Sequence, residues 1–155
     1  MLNLKQVVNM EIRKLKIEDY DELYRLWKSM KGMGLNNLDD SREGIEKFLK
    51  RNPNTCFVAC VNDQIIGAIM SGHDGRRGFI YHTCVLEKYQ GKGYGKQLVE
   101  VCMKALEKEG INKAALVVFE RNQQGNEFWE HMGFTTREDL VYRNKTIKEM
   151  IRYDS

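Results

Sequence analysis

Three glycines fall within five residues at Gly91, Gly93 and Gly95, in the stretch Gln90-Gly91-Lys92-Gly93-Tyr94-Gly95-Lys96. An apolar run ends just ahead of it at Val85, and an amphipathic helical pattern starts near Gly93. Glycine gives a core nothing to pack and loses the most backbone freedom on folding. A strand-to-helix corner carrying three of them is therefore expected to need positive φ or close approach to a ligand. The first turn of the following helix offers N–H groups without intrahelical partners, at the positive end of the helix dipole. Such a corner suits a pyrophosphate, and Lys92 and Lys96 add full charges to its rim. The stretch reads as an anion cradle, with a turn that holds no ligand as the alternative.

Spacing separates the owners of such loops. The phosphate loop of nucleoside triphosphatases needs four residues between its glycines and a hydroxyl after the lysine; here the gap is one short and Gln97 follows Lys96. The dinucleotide fingerprint is missed because the third glycine comes one residue early. Gln-x-x-Gly-x-Gly, at Gln90, Gly93 and Gly95, fits. It resembles the acyl-CoA pyrophosphate loop of the GNAT superfamily of N-acetyltransferases.

At 155 residues the chain is long enough for one domain with its own core, here residues 10–155 behind a short extension over 1–9. Composition is that of an ordinary globular chain. A net charge of +3, with acids and bases interleaved, gives no reason to expect nucleic acid as a partner. Cys56, Cys60, Cys84 and Cys102 follow neither disulfide nor zinc spacing, and His73 and His131 have no partner at metal spacing, so no metal is expected. Thiols used as small hydrophobes suit a reducing cytoplasm. No apolar stretch reaches membrane-spanning length, so no membrane partner is expected.

In order, the chain predicts an edge strand over 10–16, a helix carrying Tyr20, Leu23, Tyr24 and Trp27, a loop over 32–37, and a helix over about 41–51 capped by Asp40 or Ser41. Strands over 55–61 and 64–72 flank Asn62-Asp63, a two-residue hairpin signal. A polar turn over 72–78 leads to the strand 79–85, the glycine loop, a helix over 93–108 ended by Gly110, and an apolar run over 113–119 read as a central strand. Strand, helix, strand in this order places the loop at the carboxyl end of its strand, where ligands bind in open sheets.

A second motif follows: Asn122, Gly125, Phe128, Trp129, Gly133 and Phe134 resemble the GNAT segment after the central strand. The turn 72–78 is similar to that of small YpeA-type bacterial members. Together these imply an α/β (α+β) fold with a mixed, mostly antiparallel sheet of about seven strands and about four helices. Its central parallel pair is splayed, and a closing hairpin spans 135–141 and 146–152.

The resemblance also assigns roles. Thr83, Cys84 and Val85 would pair with the pantetheine arm of acetyl-CoA as with an added strand. Gln90, Gly91, Lys92, Gly93, Tyr94, Gly95 and Lys96 would hold the pyrophosphate, and Asn122 would contact the pantetheine or thioester, unless it only caps a helix. An N–H near Cys84 or Val85 would stabilise the oxyanion. The partner is an amine acceptor, with a small amine favoured over a protein N-terminus; a homodimer is left open.

Attack on a thioester needs a neutral amine, hence a base. The position of the family's Tyr acid is Trp129, and the position of a Glu base in ribosomal-protein alanine acetyltransferases is Val117, so neither role is carried over. Glu120 and Tyr81 are the catalytic candidates, each with a bland alternative: an exposed loop carboxylate and a packed aromatic. His82 alternates with Tyr81 onto the opposite face. Trp129 also motivates a different class, a non-catalytic acyl-CoA-binding module.

Overall fold

A computed structural model describes residues 9–153, so most of the expected N-terminal extension lies outside the described residues. The alternating segment Met10–Lys14 forms β1 at one edge of a sheet ordered β1-β2-β3-β4-β5. A single 3-10 turn leads into α1 (Tyr20–Ser29), and α2 (Arg42–Arg51) follows, its first turn capped by Ser41 Oγ accepting from Gly44 N–H at 3.0 Å. The antiparallel pair β2 (Phe57–Val61) and β3 (Gln64–His73) turns at Asn62 and Asp63 with φ of 49° and 62°. Both signs are positive, as a two-residue turn matching strand twist demands. β4 (Gly78–Val85) runs antiparallel to β3, α3 (Tyr94–Lys108) follows the glycine loop, and α4 (Gln123–His131) starts at Asn122.

Helices cover both faces of the sheet. Leu23 and Trp27 of α1 and Ile45 and Leu49 of α2 pack with Val58, Ala68 and Cys84. On the opposite face Leu98, Val99, Cys102 and Leu106 of α3, with Trp129 of α4, pack on Ala59, Ile66, Ile69 and Ile80. β3 is buried from Ile65 to Gly72, since both faces are covered.

Two irregularities position the site. Between Ser71↔Ile80 and Ile69↔Thr83, β3 advances two residues while β4 advances three. This bulge inserts a residue into β4 and inverts the alternation beyond it. Ile80 accordingly joins the α3-side core and Cys84 the α1/α2-side core, although four residues apart they would share a face in a regular strand. The expectation that Tyr81 and His82 point to opposite faces is corrected by the same bulge. Tyr81 packs on Phe48 of α2 and His82 on Trp27 of α1.

The second irregularity is a divergence. The run expected as a central strand over 113–119 pairs only at Ala114–Ala115 (β5), parallel to Gly78 and Phe79. Beyond those pairs β4 and β5 part. The expected closing hairpin is also absent among the described residues: 135–149 are exposed and unladdered, and the chain returns through one bridge, Asn36 with Arg152. Among the described residues the sheet thus has five strands instead of about seven. A strand pattern becomes a strand only where a partner edge runs alongside, and the diverging end of β5 supplies none.

Candidate active site

The glycine loop is built by backbone conformation. Leu86 N–H donates to Ile66 O at 2.8 Å, and Gln90 Nε2 donates to Val85 O at 2.8 Å. Gln90, expected to face the pyrophosphate, thus fastens the loop to the strand it leaves. Gly91 and Gly93 take φ of 77° and 83°, and a Cβ placed on either would meet nothing within 4 Å. The two positive φ values are what glycine is needed for, and the space before them is open. Gly93 is the N-cap of α3, and Gln97 N–H is the donor that closes on its carbonyl, at 3.1 Å. The amides of Tyr94, Gly95 and Lys96 lie ahead of that first bond, at the end of the helix carrying about half a positive charge. Gly95 has a different job, its Cβ position lying 3.5 Å from the Phe128 ring of α4. Lys88 and Lys92 hold their ammonium groups 5.2 and 5.7 Å from the Tyr89 ring centre, and Lys96 lies 4.0 Å from Glu100. These are open donors and lysine cations around one cradle, fitting an anionic group.

Thr83, Cys84 and Val85 lead into it. Their ladder on one side is with Ile69, Ala68 and Gly67. Their other side faces the opening left by β5, beyond the Phe79↔Ala115 pair. One strand edge is therefore free to accept an extended ligand arm. The Cys84 thiol is buried and pushed up to about 12 by that burial, so it stays a thiol. Asn122 lies beyond the opening and caps α4, its Oδ1 accepting from Gly125 N–H at 2.9 Å.

Tyr81 sits at the bulge, 48% exposed, with its ring 5.6 Å from Phe48 and 4.9 Å from Phe79. Burial pushes its phenol upward, and Asp39 and Tyr142 add to that. At neutral pH it holds its proton. Glu120 is an exposed residue of the turn ahead of Asn122. Trp129 is 9% exposed and wedged edge-on between Phe128 and Phe134 in the core. Val117 is exposed.

One pair escaped the sequence reading. His82 Nε2 lies 2.6 Å from Asp40 Oδ1, and Asp40 Oδ2 accepts from Asn36 N–H at 2.8 Å. Tyr20 Oη donates to the Asp40 carbonyl at 2.7 Å. Asp40 is buried and the His82 ring stands edge-on to Trp27, so this group pins the α1–α2 loop to β4. The only signal was an acid ahead of α2, which reads as a cap; no local pattern ties position 40 to position 82.

Known proteins resemble this chain in sequence and in fold. The sequence matches the acetyltransferase (GNAT) family over residues 20–134. An acetyltransferase of Yersinia pestis (strain Pestoides F) is 30% identical over 138 residues, 89% of this chain and 96% of that protein. One of Sodalis glossinidius is 29% identical over 144 residues, covering 93% and 100%. Among solved structures, Ard1 from Thermoplasma volcanium superposes with a TM-score of 0.73 at 19% identity over 83% of this chain and 84% of that one. The aminoglycoside N-acetyltransferase AAC(6')-Iy in complex with CoA gives 0.73 at 18% identity, over 92% and 98%. The structural likenesses establish the fold; the sequence matches go further, and the chain belongs to the acetyltransferase (GNAT) family, a family of acyltransferases.

Proposed function

We propose that the protein transfers an acetyl group from acetyl-CoA to a primary amine, by direct attack in a ternary complex assembled on one domain spanning residues 10–155. The observation that carries this reading is the cradle of Gly91 and Gly93 at the head of α3, continuous with the unpaired edge of Thr83–Val85. The aminoglycoside acetyltransferase of similar fold was solved with CoA, which supports the same ligand here.

Acetyl-CoA supplies a thioester carbon open to a neutral amine, with a thiolate as leaving group. The residues of this chain divide the remaining work. The amides of Gly93, Tyr94, Gly95 and Lys96, with Lys92, take the pyrophosphate, and the free edge of Thr83, Cys84 and Val85 takes the pantetheine arm. A backbone N–H near Cys84 or Val85 faces the developing oxyanion. Glu120 is the base in this proposal, removing the amine proton directly or through water. Tyr81 keeps its proton, so its role is to donate a hydrogen bond towards the departing sulfur rather than to act as base. His82 is held by Asp40 and positions the α1–α2 loop. The family match and relatives named acetyltransferase favour an enzyme over a non-catalytic module. Among the described residues no helix is long and apolar enough to cross a membrane, and four buried free thiols suit the cytoplasm.

The test is the melting temperature with acetyl-CoA, CoA, ATP and NAD, followed by amine-dependent release of free thiol. Ligand at 100 times its Kd should add about 2.7 kcal/mol, several degrees for a chain of this size. A shift with both CoA species and thiol release that needs an amine is the expected outcome. Absence of any CoA shift in a folded sample overturns the reading.

A further inference from the structure

A cleft of about 490 Å³ opens beside Tyr81 on the α2 face, at the end of β4 opposite the cradle. This falls in the size range of small-molecule sites. Its apolar wall is three rings, Phe48 and Phe79 each packed on Tyr81. Gly72 forms part of the floor, because a Cβ there would lie 2.8 Å from the Phe48 ring and 2.7 Å from Asn52 Nδ2. Buried Asn52 accepts the His73 N–H through Oδ1 at 3.0 Å, which leaves its NH2 over Gly72. Arg77 and Lys113 complete the lining, both exposed.

The lining carries more cationic than anionic side chains, Arg77 and Lys113 against Asp74. Among the described residues neither Arg77 nor Lys113 pairs with a carboxylate. Asp74, the one acid of the lining, spends Oδ1 on the N–H groups of Arg76 and Arg77, each at 2.8 Å. Glu109 lies 4.0 Å from His73, whose Nδ1 accepts the Gly75 N–H. An acidic segment also reaches this part of β4: Asp40 bonds His82, the neighbour of Tyr81, at 2.6 Å, and the adjacent Asp39 helps raise the Tyr81 phenol. Tyr81 thus borders both an acidic segment and a cationic, aromatic-walled cleft.

We infer that the acceptor is an amino carboxylate: its amine lies towards Tyr81 and Asp39, its apolar body on the Phe48–Phe79 wall, and its carboxylate against Arg77, Lys113 and the Asn52 amide. A guanidinium offers a carboxylate two parallel bonds. This rests on the acetyl transfer proposed above and narrows its acceptor; an aminoglycoside, the substrate class in the name of a neighbour of similar fold, carries several amino groups and would meet like charge in this cleft.

The experiment compares matched pairs as acceptors in the thiol-release assay: phenylalanine with phenylalanine amide, and 4-aminobutyrate with 4-aminobutyramide, with kanamycin as the polycation. At least one carboxylate member should exceed its amide about tenfold in kcat/KM, through KM, and in Arg77→Gln/Lys113→Gln that preference should fall below about threefold. The α-amine of phenylalanine amide is the less basic of its pair, so that bias runs against the expected result. Amides equal or preferred in both pairs, kanamycin preferred to all four, no turnover of either carboxylate, or a preference that survives the double substitution would each overturn the inference. The acetyl-CoA melting shift in the same samples separates the two levels. If it is present, only the acceptor assignment falls; if it is absent from wild type, the acetyltransferase reading falls with it.

Discussion

The two ends of β4 are built by different means. At its carboxyl end the cradle is one continuous stretch, Val85 to Gln97, made of amides, two positive φ angles and a helix terminus. Around the bulge the surface is assembled from segments far apart in the chain: Asp40, Phe48, Arg77, Tyr81, Lys113 and Tyr142. A site made of backbone tolerates exchange of its side chains but not of its glycines. One made of side chains has the reverse sensitivity. Recognition of a shared donor molecule can therefore stay fixed while the acceptor side varies.

The largest test of that contrast is Glu120→Gln, which should lower kcat by about 10²–10⁴-fold in the thiol-release assay while leaving the acetyl-CoA melting shift intact. Unchanged turnover would remove Glu120 from the chemistry. Gly93→Asp acts on the other end. It combines strain at φ of 83° with a negative charge at the cradle, and should abolish the acetyl-CoA shift, about 2.7 kcal/mol at 100 times Kd. Retention of the shift would mean that the anion binds elsewhere.

Asp40→Ala should separate the regions most cleanly. It leaves His82 and the Asn36 N–H without their partner and should cost about 2–3 kcal/mol in denaturant unfolding. Acceptor KM should rise while the acetyl-CoA shift persists; equal damage to both would dissolve the distinction between the two ends.

A smaller effect is expected in acid, at β1. Burial alone would push the Asp19 carboxyl up, but two 2.8 Å bonds from Arg13 and the Lys16 amide hold it below its ordinary value. A depressed carboxyl adds stability above its unfolded pKa of about 3.9, and that stability disappears as pH falls through the folded value. Wild type should exceed Asp19→Asn in melting temperature at pH 7, and the gap should begin to narrow below about pH 4 and go on shrinking at lower pH. Both ends of β4 should be indifferent to this substitution. Smallest of all, Cys56 and Cys84, pushed by burial up to about 12, and Cys102, to about 11, should stay unreactive to a thiol reagent at pH 8 until the protein is unfolded.

The sequence by itself determined what depends on neighbours along the chain. Asn62-Asp63 made the hairpin turn, Ser41 and Asn122 capped their helices, and the Gln90–Lys96 spacing placed a cradle at a strand-to-helix corner. These features are encoded by φ preference, side-chain reach and residue period. The tertiary structure alone decided the rest. The bulge that turns His82 towards Trp27 is a mismatch between β3 and β4, visible in neither strand alone. The Asp40–His82 bond joins residues 42 positions apart. The run 113–119 and the segments 135–141 and 146–152 have the composition of strands. In 113–119 the ladder ends where β5 parts from β4, because a ladder needs a second edge at the right distance, and strand pattern does not specify where that edge will be.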